Sequence, residues 1–253
     1  MTRAYGSAGR FGVGAPQSNP TVEAEFAILA PRTATLYATR LTSTAATPEE
    51  RLRFYLENLP ATLAGYDNMK LDAFAFACTG SSYLLGAARE QEMVKTLSEQ
   101  MGYPVLTAAQ AIVWMLQRLG ARKIAMIAPY SEALLAEGEA YFAKEGFEVV
   151  SINRVVTRTT DTRTIYELTA DQAQTALSEA NVAGADAILV SGTGMPSLPV
   201  VNPRGATPII SSNYCLGLRM LHASGRASLL DADGLEPLGW RKRLAEALGM
   251  DPV

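Results

Sequence analysis

Cys78 and Cys215 are the only thiols in this 253-residue chain, and both fall where an apolar run gives way to small hydrogen-bonding residues ahead of a helix. The stretches are "FACTGSS" and "SSNYC", with the cysteines 137 positions apart. A helix N-terminus carries partial positive charge and unsatisfied N–H groups. A cysteine there has its thiolate stabilised and its pKa lowered from about 8.5, so it can act as base or nucleophile near neutral pH. Thr79, Gly80 and Ser81, with Ser82, add hydroxyls and a glycine that lets backbone close on an anion, the makings of a carboxylate or oxyanion cradle. Removing one donor from such a cradle costs roughly 3 kcal/mol of transition-state stabilisation. Ser211, Ser212 and Asn213 offer the same elements ahead of Cys215. The plainer alternative is a pair of buried structural thiols, since free cysteine is among the most often buried residues. Two cysteines at two strand ends favour function.

Composition narrows the chemistry. A single histidine, His222, removes most metal and Ser-His-Asp arrangements, and no cofactor is expected. Two cysteines are too few for a disulfide framework, so free thiols and a cytoplasmic setting are expected. Lys and Arg number 22 against 25 Asp and Glu, giving a net charge of -3 with no basic block, so no nucleic-acid partner is expected. The N-terminus lacks the apolar core of a signal peptide and no segment approaches a membrane span, so no membrane partner is expected. The expected partner is a small carboxylate, with a homo-oligomer left open.

The elements that must position the thiols repeat as strand, polar turn and helix. "TATLYATRLTST" alternates as a strand. "TPEERLRFYLENLPATLAGY" reads as helical, with Thr47 as N-cap and Pro48 at the first helical position. "LDAFAFAC" has strand length, and "TGSSYLLGAAREQEMVKTLSEQMG" reads as helical after its first few residues. The pattern recurs through "YPVLTAAQAIVWMLQRLG", "ARKIAMIAPYSEALLAEGEAYFAKEGFEVVSINRVV", "GADAILVSGTG" and "PIISSNYCLGLRML". Such alternation implies an α/β protein with parallel sheet and helices on both faces, whose ligands bind at the carboxyl ends of strands. Those ends are "APQSN", "ACTGSS", "APYSE", "SGTGMPS" and "SSNYC".

Other features carry less. "GSAGRFGVG" precedes the first clear strand, so it reads as a flexible leader and not a dinucleotide fingerprint. "SGTGMPSLP" lacks a P-loop lysine, and Pro196 and Pro199 prevent an immediate helix, leaving a substrate-facing loop. His222 reads as a packing or helix-end residue. Asn19 and Tyr130 sit in turns and could each hydrogen-bond a carboxylate, although such residues often only satisfy local backbone. Residues 157–169, "TRTTDTRTIYELT", read as a solvated loop in preference to a lid.

Taken in order, "APQSNPTVEAEF", "FACTGSS", "GARKIAMIAPYSEALLAEGEAYFAKEGFEVV", "GADAILVSGTG" and "PIISSNYCLGLRML" resemble the Asp/Glu racemase superfamily, in its branch of maleate cis-trans isomerases and arylmalonate decarboxylases. The resemblance implies two flavodoxin-like parallel-sheet halves related by a pseudo-two-fold, with the active site in the cleft between them. One half would comprise 1–108 plus 216–253 and the other 109–215. It implies a cofactor-independent racemase or cis-trans isomerase of a small carboxylic acid, with Cys78 and Cys215 as the catalytic pair. Asn19 and Tyr130 match the isomerase pattern's carboxylate-binding asparagine and tyrosine, and Thr79, Gly80 and Ser81 fall in the carboxylate-binding turn. Ser212 and Asn213 neighbour the second cysteine. Gly194 departs from the pattern, where isomerases tend to have an asparagine; its missing side chain would open space for a larger substrate. The alternatives are a malonate-type decarboxylase protonating an enediolate from Cys215 alone, and a noncatalytic carboxylate-binding protein.

Overall fold

The computed structural model describes residues 4–250. In chain order its elements are β1 (Arg10–Pro16), α1 (Thr21–Leu29), β2 (Thr35–Leu41), α2 (Pro48–Glu57), α3 (Leu59–Ala64), β3 (Ala73–Phe76), α4 (Thr79–Leu85), α5 (Ala87–Met101), β4 (Val105–Thr107) and α6 (Ala108–Arg118). There follow β5 (Lys123–Ala128), α7 (Glu132–Lys144), β6 (Glu148–Arg154), α8 (Ala170–Glu179), β7 (Ala187–Val190), β8 (Ile209–Ser211), α9 (Ser212–Ala223) and α10 (Trp240–Ala247).

These build two four-stranded parallel sheets, ordered β2-β1-β3-β4 and β6-β5-β7-β8. The same order in both is the doubly wound pattern in which the chain reverses direction beside its first strand. The reversal leaves a crevice between β1 and β3 in one sheet and between β5 and β7 in the other. Strand and helix apolar faces merge into one buried core running through both sheets. The last helices return to the first sheet: a Cβ at Gly217 of α9 would stand 2.7 Å from Leu29, and Arg243 of α10 donates to the carbonyls of Ile28 and Leu29 at 2.6 and 3.1 Å.

Local chemistry accounts for the element ends. Thr47 caps α2 through a reciprocal box with Glu50, at 3.2 Å from the Glu50 N–H and 3.4 Å back from the Thr47 N–H, an arrangement worth about 1 kcal/mol. The helix expected over 47–66 divides at Asn58 into α2 and α3. The segment after Cys78 is helical at once, from Thr79, and breaks at Gly86, whose φ of +82 turns the chain into α5.

One expectation fails. "GSAGRFGVG" is no leader, because residues 10–16 form β1, a central strand paired to both β2 and β3. Its glycines disguise it: Cβ atoms at Gly12 and Gly14 would stand 2.7 and 2.8 Å from the Phe74 ring, so the neighbouring strand supplies the volume that β1 lacks.

Candidate active site

The two crevices face one another, and side-chain hydrogen bonds stitch them together. Thr193, after β7, donates to the carbonyl of Ala77, after β3, at 2.8 Å. Thr21 donates to the Gly194 carbonyl at 2.8 Å, Thr79 donates to Ser212 Oγ at 3.1 Å, and the Tyr83 and Ser191 hydroxyls lie 2.9 Å apart. Between these loops is a small cavity of about 30 Å³, lined by Pro16, Leu52, Cys78, Thr79, Gly80, Tyr130, Thr162, Ile165, Tyr166 and Gly192, Thr193 and Gly194. A larger groove of about 1030 Å³ beside β4, between α5 and α6, holds neither cysteine. The small cavity is the candidate site because a thiol, several hydroxyls and the ends of both sheets converge there.

Cys78 is the N-cap of α4, its backbone extended and its side chain almost fully buried. Ser81 donates to its Sγ at 3.1 Å. Burial pushes the Cys78 thiol up, against the opposing pull of the Ser81 hydrogen bonds and the Arg51 charge. The helix-terminal position therefore does not yield the lowered pKa that the sequence suggests, because desolvation outweighs it. Tyr130 stands against Tyr83, edge to face at 6.3 Å, and burial followed by the negative charge of a Cys78 thiolate pushes its phenol up, so it is held as a donor.

Of the residues singled out in the sequence, Cys78, Thr79, Gly80, Tyr130 and Gly194 line the cavity. Ser81 acts through Cys78. Asn19 spends its carbonyl on the N–H groups of Thr21 and Val22, at 2.9 and 3.3 Å, and points its amide to Thr193 Oγ1 at 3.4 Å. Ser212 accepts from the Gly192 N–H at 2.9 Å, and Asn213 donates to the Thr193 carbonyl at 3.0 Å, so both hold the loop after β7 from behind. Asn19, Ser81, Ser212 and Asn213 are thus supports of the cavity wall and not part of its lining.

Cys215 does not join Cys78. Ser211 caps α9, accepting from the Tyr214 N–H at 3.4 Å, so the helix begins before the cysteine and Cys215 occupies its fourth position. It has no exposed surface, it is absent from the cavity lining, and burial alone pushes its thiol far up. The expectation of two thiols flanking one carbon is not met by the cavity. Gly194 also differs from expectation. A Cβ there would stand 2.6 Å from Cδ1 and Cε1 of Tyr166, so the missing side chain makes room for an aromatic ring and opens none. Residues 157–169 are correspondingly more than a solvated loop, since Thr162, Ile165 and Tyr166 cover the cavity.

Three groups were not picked out from the sequence. Arg51, on α2, is buried and donates to Asp161 Oδ1 at 2.7 Å. Glu25, on α1, accepts from the N–H groups of Ser197 and Leu198 at 2.6 and 2.9 Å and from the Asn213 amide at 2.7 Å, which fixes the loop below Gly194; burial raises its pKa against those bonds. Tyr166 supplies the cavity roof. His222, as expected, is a packing residue, its ring 5.3 Å from that of Trp114. Among the described residues no cluster of three or more His, Cys, Asp or Glu is placed to hold a metal ion, and no helix is long and apolar enough to cross a membrane.

Comparison with known proteins adds a family. Maleate isomerase of Geobacillus stearothermophilus is 28% identical over 206 residues, covering 76% of this chain and 81% of the relative. The crystal structure of maleate isomerase from Pseudomonas putida S16 with maleate matches at a TM-score of 0.78 and 22% identity, over 89% of this chain and 95% of that one. Nocardia farcinica maleate cis-trans isomerase, solved with a covalently bound succinylcysteine intermediate, matches at 0.76 and 22%, over 85% and 91%. These likenesses establish the shared fold. The arylmalonate decarboxylase family model matches residues 54–229, from α2 to the end of the turn after α9. The chain therefore belongs to the arylmalonate decarboxylase family, in the branch of the Asp/Glu racemase superfamily that also holds the maleate isomerases.

Proposed function

We propose that this protein is a cofactor-independent cis-trans isomerase of a small unsaturated carboxylate such as maleate, with Cys78 as the thiol that attacks the double bond. The observation that carries the reading is that Cys78 is the one thiol lining the cavity, at the start of a helix and among the hydroxyls of Thr79, Tyr130 and Thr193. The Cys78 thiolate adds to one alkene carbon, forming a C–S bond, and the electron pair moves onto the adjoining carboxylate as an enediolate. Rotation about the resulting single bond, then expulsion of the thiolate, gives the trans acid with no net redox change and no net proton. The developing oxyanion needs preorganised donors, and Thr79, Tyr130 and the N-terminal end of α4 stand ready to supply them. Arg51 and Ser81 favour the thiolate that burial opposes. A succinylcysteine in the Nocardia farcinica enzyme supports the same covalent chemistry here. Two unpaired thiols suit a reducing, cytoplasmic setting.

The test is intact-mass and peptide mass spectrometry after acid quench of the protein with maleate. An adduct of the acid's mass on the peptide containing Cys78 is expected; an adduct confined to Cys215 would contradict the assignment.

A second reading is favoured by the same single thiol together with the family match. A Cys78 that rests protonated is suited to deliver a proton to one face of an enediolate after a malonate-type diacid loses carbon dioxide. In that reaction the donor is Cys78, not Cys215. Carbon dioxide release from a substituted malonate, lost in Cys78→Ala, would select it.

A further inference from the structure

The cavity beside Cys78, at about 30 Å³, has room for about two waters at roughly 10–15 Å³ each and none for an organic acid. Substrate entry therefore requires part of the wall to move. Thr162, Ile165 and Tyr166, on the segment 162–167, form the part of that wall contributed by an irregular connection and not by a sheet end. A second cavity of about 180 Å³ lies outside it, between α2 and the start of α7, and Leu52 and Thr162 line both. Moving Thr162 joins the two.

Asp161 heads this cover and is shared by two arginines in unequal settings. Arg163, exposed and on the same segment, holds it through Nε and Nη2 at 2.6–3.1 Å. Arg51, on α2 and only 3% exposed, holds it through one 2.7 Å contact. When the cover lifts, Asp161 keeps Arg163. Arg51 stays behind with the single acid within its reach, among the described residues, withdrawn. A buried guanidinium without a counter-charge is strongly unfavourable, and an incoming anion relieves it. Arg51 stands beside the cavity: its neighbour Leu52 lines it, its Nη2 lies 3.5 Å from Thr162 Oγ1, and its charge reaches Cys78, Tyr55 and Tyr166. The lining itself holds no cation, so neutral donors would take one carboxylate and leave Arg51 for another.

We propose that Arg51 is the specificity-determining residue of this site: on opening, its guanidinium exchanges the carboxylate of Asp161 for the second carboxylate of the substrate, so that the cleft selects dicarboxylates over monocarboxylates. The proposal rests on the reading of this cleft as a carboxylate site and adds the residue that counts the charges.

The test uses unreactive acids, so that binding is read without turnover. Isothermal titration of the intact protein with succinate and with butyrate is expected to give at least tenfold tighter binding of succinate. In Arg51→Gln the two affinities should converge, and in Asp161→Asn, which frees Arg51 without altering it, succinate should bind several-fold tighter with butyrate unchanged. Equal affinities in the parent protein, a preference that survives Arg51→Gln, or an Asp161→Asn variant with unaltered succinate affinity would each overturn the role of Arg51 while leaving the carboxylate site intact. If Arg51→Gln does not fold, Asp161→Asn decides. Binding of neither acid would overturn the carboxylate reading itself.

Discussion

Gly194→Ala probes the roof of the site with a single methyl group. A Cβ there lies 2.6 Å from two carbons of the Tyr166 ring and 3.2 Å from Ile165 Cγ2, whereas ordinary contact begins near 3.4 Å, so the ring must retreat by about 0.8 Å or more. Overpacking of this kind costs about 1–3 kcal/mol. Tyr166 belongs to the cover and not to a sheet, so the cost should fall on the closed, substrate-bound state and leave the core intact. The expected result is a roughly 5- to 150-fold loss in kcat/KM, with a melting temperature close to that of the parent. Removing the ring as well, in Gly194→Ala/Tyr166→Ala, abolishes the clash, so a double-mutant cycle should give a coupling energy of about 1–3 kcal/mol. Additive effects, or a Gly194→Ala variant with unaltered kinetics, would show that Tyr166 does not close over the reacting carbon.

Further expectations concern ionisation and the supporting shell. Because burial outweighs the opposing Ser81 and Arg51 effects, the pH profile of Cys78 alkylation by iodoacetamide should titrate above the ordinary thiol range, and Arg51→Gln should move it higher still; a midpoint below that range would refute the ordering of these effects. Glu25→Gln sets an amide against the donors of Ser197, Leu198 and Asn213, at a cost of about 1–3 kcal/mol readable as a lowered melting temperature. Its folded pKa is raised, so its linked stability is full below the unfolded value of 4.5 and is lost as pH rises through the folded value. Denaturant melts across that window should therefore show a flatter pH dependence in Glu25→Gln, and an unchanged slope would contradict the assignment.

Much of this architecture can be read from the residues alone. The alternation of apolar runs and polar turns implies two parallel sheets, and all five turns named at strand ends lie at the ends of β1, β3, β5, β7 and β8. The strand hidden in "RFGVGAP" escapes because strand reading counts side-chain volume, and here Phe74 of the adjoining strand fills the space over Gly12 and Gly14. The shell around the site escapes for a different reason. Glu25 and Arg51 occupy core-facing positions of amphipathic helices, among Val22, Phe26 and Leu29 in one case and Leu52, Tyr55 and Leu56 in the other. A charge in such a register signals a buried partner, but the partner is 110 residues away for Arg51 and more than 170 for Glu25, too far for sequence spacing to supply. Cys215 shows the converse hazard. Its turn-like surroundings suggest a cleft, and the Ser211 cap, by starting the helix early, places it in the core instead.

The most direct test is proton NMR of maleate in deuterated buffer with the parent protein, Cys78→Ala and Cys215→Ala. Fumarate should appear with the parent and with Cys215→Ala, and not with Cys78→Ala. Fumarate from Cys78→Ala, or its loss in a folded Cys215→Ala, would contradict the claim that Cys78 alone brings a thiol to the reacting carbon.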